Sequence, residues 1–233
     1  MSGGASYGEL TKRLHEMHQT GGLADLGELC GPFVLEATAE FDVAPGRILF
    51  VGQETNGWYT VEDFLDPQKG LAEALLWYRE FGLAENHPAS RSPFWTFHRK
   101  IAQGIGIDWR ALLWSNLVRF DGTRIQNGRG SLIDHPSEAG LLALQRGVLA
   151  AEIDSLRINT VIFLTGPNYD HIIRNEFSDA EFSVFGQWPV RQLSQVRCLA
   201  RPSVRMIRTY HPAYLRRKRL FDPVADEIIR FCL

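Results

Sequence analysis

Cysteine is scarce and scattered in this chain of 233 residues: Cys30, Cys198 and Cys232 are odd in number and far apart. Such spacing makes neither a disulfide framework nor a metal-ligand cluster, and predicts reduced thiols in the core. Long apolar runs are missing too, since no stretch approaches the roughly 20 residues that span a bilayer. The opening Met1-Ser-Gly-Gly-Ala-Ser6 has no basic-then-apolar leader pattern, so a cytoplasmic protein without membrane contact is expected. A glycine-rich phosphate loop is also absent. Gly104-Ile-Gly106 and Gly128-Arg-Gly130 lack the spacing after a strand that such a loop needs. Internal repeats, linkers and low-complexity tracts are absent as well. What is present is ordinary globular composition, 45% hydrophobic and 22% charged, which excludes disorder and fibrous repeats. One domain over residues 1–233 is expected, with residues 1–45 a helical segment packed on it.

The formal net charge of −2 conceals an uneven distribution. From Phe182 to Leu220 there is no Asp or Glu, while Arg191, Arg197, Arg201, Arg205, Arg208, Arg216, Arg217, Lys218 and Arg219 all fall there. Cations gathered against an acidic remainder read as a surface for phosphates or other anions; the plainer reading pairs them with the acidic residues on solvated faces.

Apolar periodicity alternates along the chain. A surface helix is predicted over Tyr7–Met17, and Leu23–Thr38 has no clear period. Arg47–Gly52 is a continuous apolar run of the kind buried on both faces of a sheet. A helix follows over Gly70–Phe81, then a loop at Asn86–Arg91. A second helix opens with Ser92 as cap and Pro93 at its first position and runs to about Gly104. Leu112–Val118 is the second strand, Asp121–Ser131 a long loop, Ser137–Leu156 a helix and Asn159–Gly166 a third strand. Val184–Trp188 and Gln195–Leu199 are short strand candidates, Val204–Thr209 is the fourth main strand, and a helix closes at Cys232. Strands alternating with helices predict a three-layer α/β/α sandwich around a mostly parallel, four-stranded sheet.

Polar residues collect where the apolar runs stop. Gly52 opens into Gln53, Glu54, Thr55 and Asn56, which is either a site-forming loop or a simple polar turn. Asn116 interrupts its strand with an amide that either reads a heterocycle edge or satisfies neighbouring backbone. His211, in Tyr210-His-Pro-Ala-Tyr-Leu-Arg216, falls at the C-terminal edge of the last strand, where open α/β sheets hold ligands. His87, His98, His135 and His171 are scattered and read as surface or capping residues.

Three of these segments together resemble the uracil-DNA glycosylase superfamily. Phe50-Val-Gly-Gln-Glu-Thr-Asn56 is similar to its first motif, an apolar strand followed by Gly-Gln and a water-activating polar residue. Ser115-Asn-Leu-Val-Arg119 is similar to the strand whose Asn recognises the base. Tyr210-His-Pro-Ala-Tyr-Leu-Arg216 is similar to the His-Pro motif and the loop that enters DNA. The chain departs from the best-known branch in having Thr55-Asn56 for Pro-Tyr and Glu54 for Asp, and its three cysteines do not fit the iron-sulfur branches.

The resemblance implies a glycosylase-like fold and release of uracil, or a related damaged base, from single- or double-stranded DNA by a monomer without metal or cofactor. It implies Glu54 and His211 as catalytic residues with Asn56 as the fallback for water, and Gln53, Asn116 and Phe94 around the base; Phe94 is equally explained as helix core. Tyr214 or Leu215 would enter the vacated stack, and Arg216, Arg217 and Lys218 would hold phosphates. Two alternatives remain at this stage: a non-catalytic nucleic-acid-binding protein of the same fold, and a hydrolase acting on free nucleotides.

Overall fold

A computed structural model describes residues 7–22, 29–55, 58, 60–83, 91–122 and 138–233. Its strands are β1 (Leu29–Cys30), β2 (Ile48–Glu54), β3 (Leu113–Val118), β4 (Asp121–Gly122), β5 (Thr160–Phe163), β6 (Glu181–Val184), β7 (Leu193–Arg197) and β8 (Arg205–Thr209). Its helices are α1 (Gly8–Gln19), α2 (Ala39–Val43), α3 (Val61–Leu65), α4 (Gly70–Leu83), α5 (Pro93–Ile105), α6 (Glu138–Gln145), α7 (Val148–Ser155), α8 (Asp170–Glu176), α9 (Pro212–Arg217) and α10 (Phe221–Cys232).

The main sheet has six strands, not four, in the order β3-β2-β5-β8-β7-β6. The first four are parallel, whereas β7 and β6 add to β8 antiparallel. Parallel strands need both faces covered, and β2, β3 and β5 are accordingly apolar without alternation. The outer β6 instead has no fully buried residue, as befits an edge, which is why its signal in the sequence is weak and misplaced by a few residues.

Successive side chains leave a strand on opposite faces, so register assigns each helix to a layer. Phe50 meets His98 of α5, and Phe50 and Gly52 pair with Trp114 and Asn116. These residues share the face covered by α5, α9 and α10, which pack on one another. Ser115 points the other way, toward Glu152 of α7. Because β3 and β5 flank β2 on opposite sides, the crevice beyond the C-terminal ends of β2 and β5 is a topological switch point.

Local chemistry explains the helix boundaries near that edge. In α5, Ser92 Oγ accepts from the Trp95 amide, Pro93 takes the first position, and Gly106 ends the helix in the left-handed region at φ 74°. The helix expected over Ser137–Leu156 is instead two, α6 and α7, because Gly147 adopts φ 84° between them. Ser137, His87, His135, Asn56, most of the Asn86–Arg91 loop and residues 123–131 of the Asp121–Ser131 loop lie outside the described residues.

Cys198 is buried, and Cys30 and Cys232 are half-buried. Among the described residues no helix is long and apolar enough to cross a membrane.

His98 corrects the reading of the scattered histidines as surface or capping groups. It is fully buried, packed edge-on to Trp95 and Trp109, and its Nε2–H donates to the Leu112 carbonyl at 3.0 Å. Burial pushes its pKa from 6.5 down to about 3. Between those values the unfolded chain binds a proton that the native chain does not. Stability is therefore fully present above pH 6.5 and falls as pH drops, by about 1.4 kcal/mol per pH unit from this residue. Urea denaturation at pH 6.5 and pH 5 should reveal a His98 share of about 2 kcal/mol, and His98→Asn should flatten that slope.

Candidate active site at the carboxyl edge of the sheet

Two of the sequence-predicted residues, Asn116 and Phe94, meet at Gly52, and a third, His211, lies beside Phe94. Gly52 lies opposite Asn116 in the β2–β3 register. A Cβ built on Gly52 would fall 2.5 Å from Asn116 Oδ1 and 3.6 Å from the Phe94 ring. The absence of a side chain at position 52 is thus what lets the Asn116 amide lie across β2 beneath Phe94. Asn116 is only 9% exposed. Phe94, at the start of α5, is half-buried, and the His211 ring lies nearly parallel to it, 21° between planes and 6.3 Å between centroids. Three strand-linked elements and α5 therefore present an amide, an aromatic face and an imidazole in one place.

His211 is positioned by the helix it begins. It is the residue before α9, and its Nδ1 accepts the Ala213 amide at 3.2 Å. An acceptor carries no proton, so the hydrogen of the neutral ring resides on Nε2. Burial and the nearby Arg217 both lower its pKa from 6.5. At neutral pH the site therefore holds an uncharged donor, fixed in tautomer by a backbone cap.

The β2 end is fixed across the switch point. Gln53 Nε2 donates to the Thr165 carbonyl at 2.8 Å, and Thr55 is held by the Val118 carbonyl through its amide, at 3.1 Å. Glu54 accepts a 2.6 Å hydrogen bond from Tyr169 Oη. Sequence reasoning did not single out Tyr169. In the structure Gly166, at φ 78°, turns the chain at the end of β5, and a short 3-10 turn over Pro167–Tyr169 carries the phenol toward β2. The available signal was an aromatic hydroxyl directly after a buried strand.

The cationic segment is corrected in two ways. It is not a loop but the helix α9, and its arginines do not share one surface. Arg208 is 0% exposed and pairs with Asp170 at 3.0 Å, Arg201 pairs with Asp154 at 2.7 Å, and Arg205 lies over the Phe231 ring. Acidic partners take Arg201 and Arg208, whereas Arg205 stays exposed, as do Arg216, Arg217, Lys218 and Arg219 on and after α9.

Leu215 is the clearest correction. It was expected to be presented to DNA, yet it is 0% exposed and belongs to the core. Once Pro212 begins a helix, the fourth residue after His211 turns inward, toward the layer formed by α5 and α10. Tyr214 instead is half-exposed and stacks on Tyr210, with 4.1 Å between centroids. Arg119, quoted beside Asn116, is buried in a pair with Glu152 and has no access to a ligand.

Among the described residues no group of His, Cys, Asp and Glu is placed to hold a metal ion. No known protein family matches this chain, and no curated protein matches it significantly.

Proposed function

We propose that the protein is a DNA glycosylase that hydrolyses the N-glycosidic bond of uracil, or a related damaged base, flipped out of DNA. The observation that carries this reading is that Asn116 and Phe94 meet at the bare backbone of Gly52 while the His211 ring, its Nδ1 taken by the Ala213 amide, lies beside Phe94. Such a cradle suits a flat heterocycle, read at its edge by an amide and stacked on an aromatic ring.

In the reaction the C1′–N bond breaks, the departing base carries the electron pair, and water adds to C1′ while losing a proton. His211 Nε2–H donates to the oxygen on which the negative charge develops, which lowers the barrier without a buried charge in the ground state. Glu54, with the water, faces the sugar as it becomes cation-like, and the hydrogen bond from Tyr169 holds the carboxylate in place. Asn116 discriminates uracil from cytosine by its amide, since an unmet buried partner penalises the wrong edge. Gln53, tied to Thr165, shapes the pocket wall.

A uracil-containing oligonucleotide, single-stranded or duplex, should show alkali-sensitive breaks at the uracil after incubation. The absence of breaks at any deaminated or oxidised base would overturn the reading. The second reading is a nucleic-acid-binding protein without chemistry, favoured by the engagement of Glu54 with Tyr169. Salt-sensitive DNA binding without base release would select it.

A further inference from the structure

We infer that the Tyr210–Tyr214 stack, with the cations of α9, is a platform for single-stranded DNA, and that the protein acts on unpaired rather than duplex strands. The inference rests on the glycosylase reading for its chemistry, though not for its binding surface.

Removing a base from a duplex requires something to fill the gap it leaves, and an apolar wedge is the usual solution. α9 offers none. Pro212 and Leu215 are buried, Ala213 is small, and Arg216 and Arg217 are exposed cations. The one sizeable ring on the helix, Tyr214, is already engaged. It stacks on Tyr210 with 24° between planes and 4.1 Å between centroids. Tyr210 in turn is backed by the turn after β5, where a Cβ on Gly166 would approach its Cδ1 to 3.0 Å. A ring braced through two layers against backbone is a rigid shelf, poorly suited to insertion between base pairs.

The same shelf suits an unpaired strand. Arg217 and Lys218 both lie 5.9 Å from the Tyr214 ring centre, and Arg216 and Arg219 are exposed beside them. Aromatic faces interleaved with mobile cations are the combination that binds single strands, with bases on the rings and phosphates on the cations. His211 directly precedes α9, so a base held on the shelf neighbours the nucleotide in the Asn116–Phe94–His211 cradle. Duplex DNA conceals its base faces and can use only the cations.

The test is fluorescence anisotropy with a labelled, uracil-free DNA strand of about 20 nucleotides, alone and annealed to its complement. The single strand should bind at least tenfold more tightly. Tyr214→Ala should weaken single-strand binding roughly tenfold to a hundredfold and duplex binding less than threefold, whereas Tyr214→Phe should retain both. Arg217→Gln with Lys218→Gln should reduce the single-strand salt slope by about 1.4. Equal affinity for duplex, or unchanged single-strand binding by Tyr214→Ala, would overturn the inference. Tyr214-dependent single-strand binding without base release from any substrate would support the platform and dispose of the catalytic reading alone. Base release from duplex at or above the single-strand rate would retain catalysis and refute the strand preference.

Discussion

Replacing His211 by alanine is expected to slow base release about 100-fold to 1,000-fold while leaving DNA affinity within about threefold. The large effect on rate follows from what the ring supplies. Its Nδ1 is committed to the Ala213 amide, which leaves Nε2–H as the donor on a ring already fixed beside Phe94, so little reorganisation is needed when charge develops on the base. On the proposed reading affinity is spared because the phosphates would contact the cations of α9, whose charge survives the substitution. Single-turnover rates and anisotropy on the same preparation separate the two effects. pH provides an independent check. Burial and Arg217 lower the His211 pKa, so the neutral ring persists at and above pH 6.5, and proton uptake lies below that value. Protonation at Nδ1 would break the cap on Ala213. The His211-dependent rate should therefore be flat above pH 6.5 and decline only at lower pH; an acid limb centred above pH 6.5 would contradict this assignment.

The largest effect on stability is expected at Glu152, on the face of the sheet opposite Asn116. Its carboxylate lies between Arg119 and Tyr7, and each of the three side chains is no more than 1% exposed. Arg119 donates to Glu152 through both terminal nitrogens and Tyr7 donates its phenol. Glu152→Ala would leave the Arg119 guanidinium buried without its carboxylate, donating to the neutral Phe33 carbonyl. An uncompensated buried charge of this kind costs about 3–5 kcal/mol. For a chain of this size that corresponds to a melting temperature lower by roughly 6–20 °C. Urea and thermal unfolding measure it. Loss below about 1 kcal/mol would mean that water reaches the pair and that it is not the buried network described. This network also bears on the cradle: Ser115, next to Asn116, contacts Glu152 at 3.4 Å, and Gln145 accepts the Arg119 amide at 2.9 Å. The end of β3 that carries Asn116 is thus pinned from the opposite face of the sheet.

The four parallel strands were legible because burial on both faces leaves short, mainly apolar runs without alternation, interrupted by Ser115-Asn116 in β3 and by Arg208 in β8, with polar residues collecting where the sheet ends. α5 was legible for a similar local reason, a Ser-Pro start and a glycine stop. By contrast, β6 and β7 were misplaced because an edge pair obtains its stability from a neighbour rather than from its own pattern. Gly147 was legible as a glycine but not as a break, since only the packing of α6 and α7 demands its positive φ.

Charge misled more than apolarity. The sequence placed Arg208 and Arg216 in one basic segment, yet one is sealed beneath Asp170 and the other is exposed. A cation's partner is chosen by what the fold brings near it, and Asp170 arrives from another element. Tyr169 escaped notice for the same reason, because its contact with Glu54 spans the β2–β5 crevice.

By itself the sequence determined the alternation of strands and helices, the order of the parallel strands' polar ends, and the residue types available there: Gln53, Glu54, Asn116 and His211. These depend on local periodicity and on which side chains tolerate burial. The tertiary structure alone decided which of them meet, that His211 carries its proton on Nε2, and that Leu215 points into the core while Tyr214 stays at the surface. A helix beginning at Pro212 rotates each following side chain by about 100°, and that rotation, set by the cap and by packing on α5 and α10, is what turns the expected wedge inward.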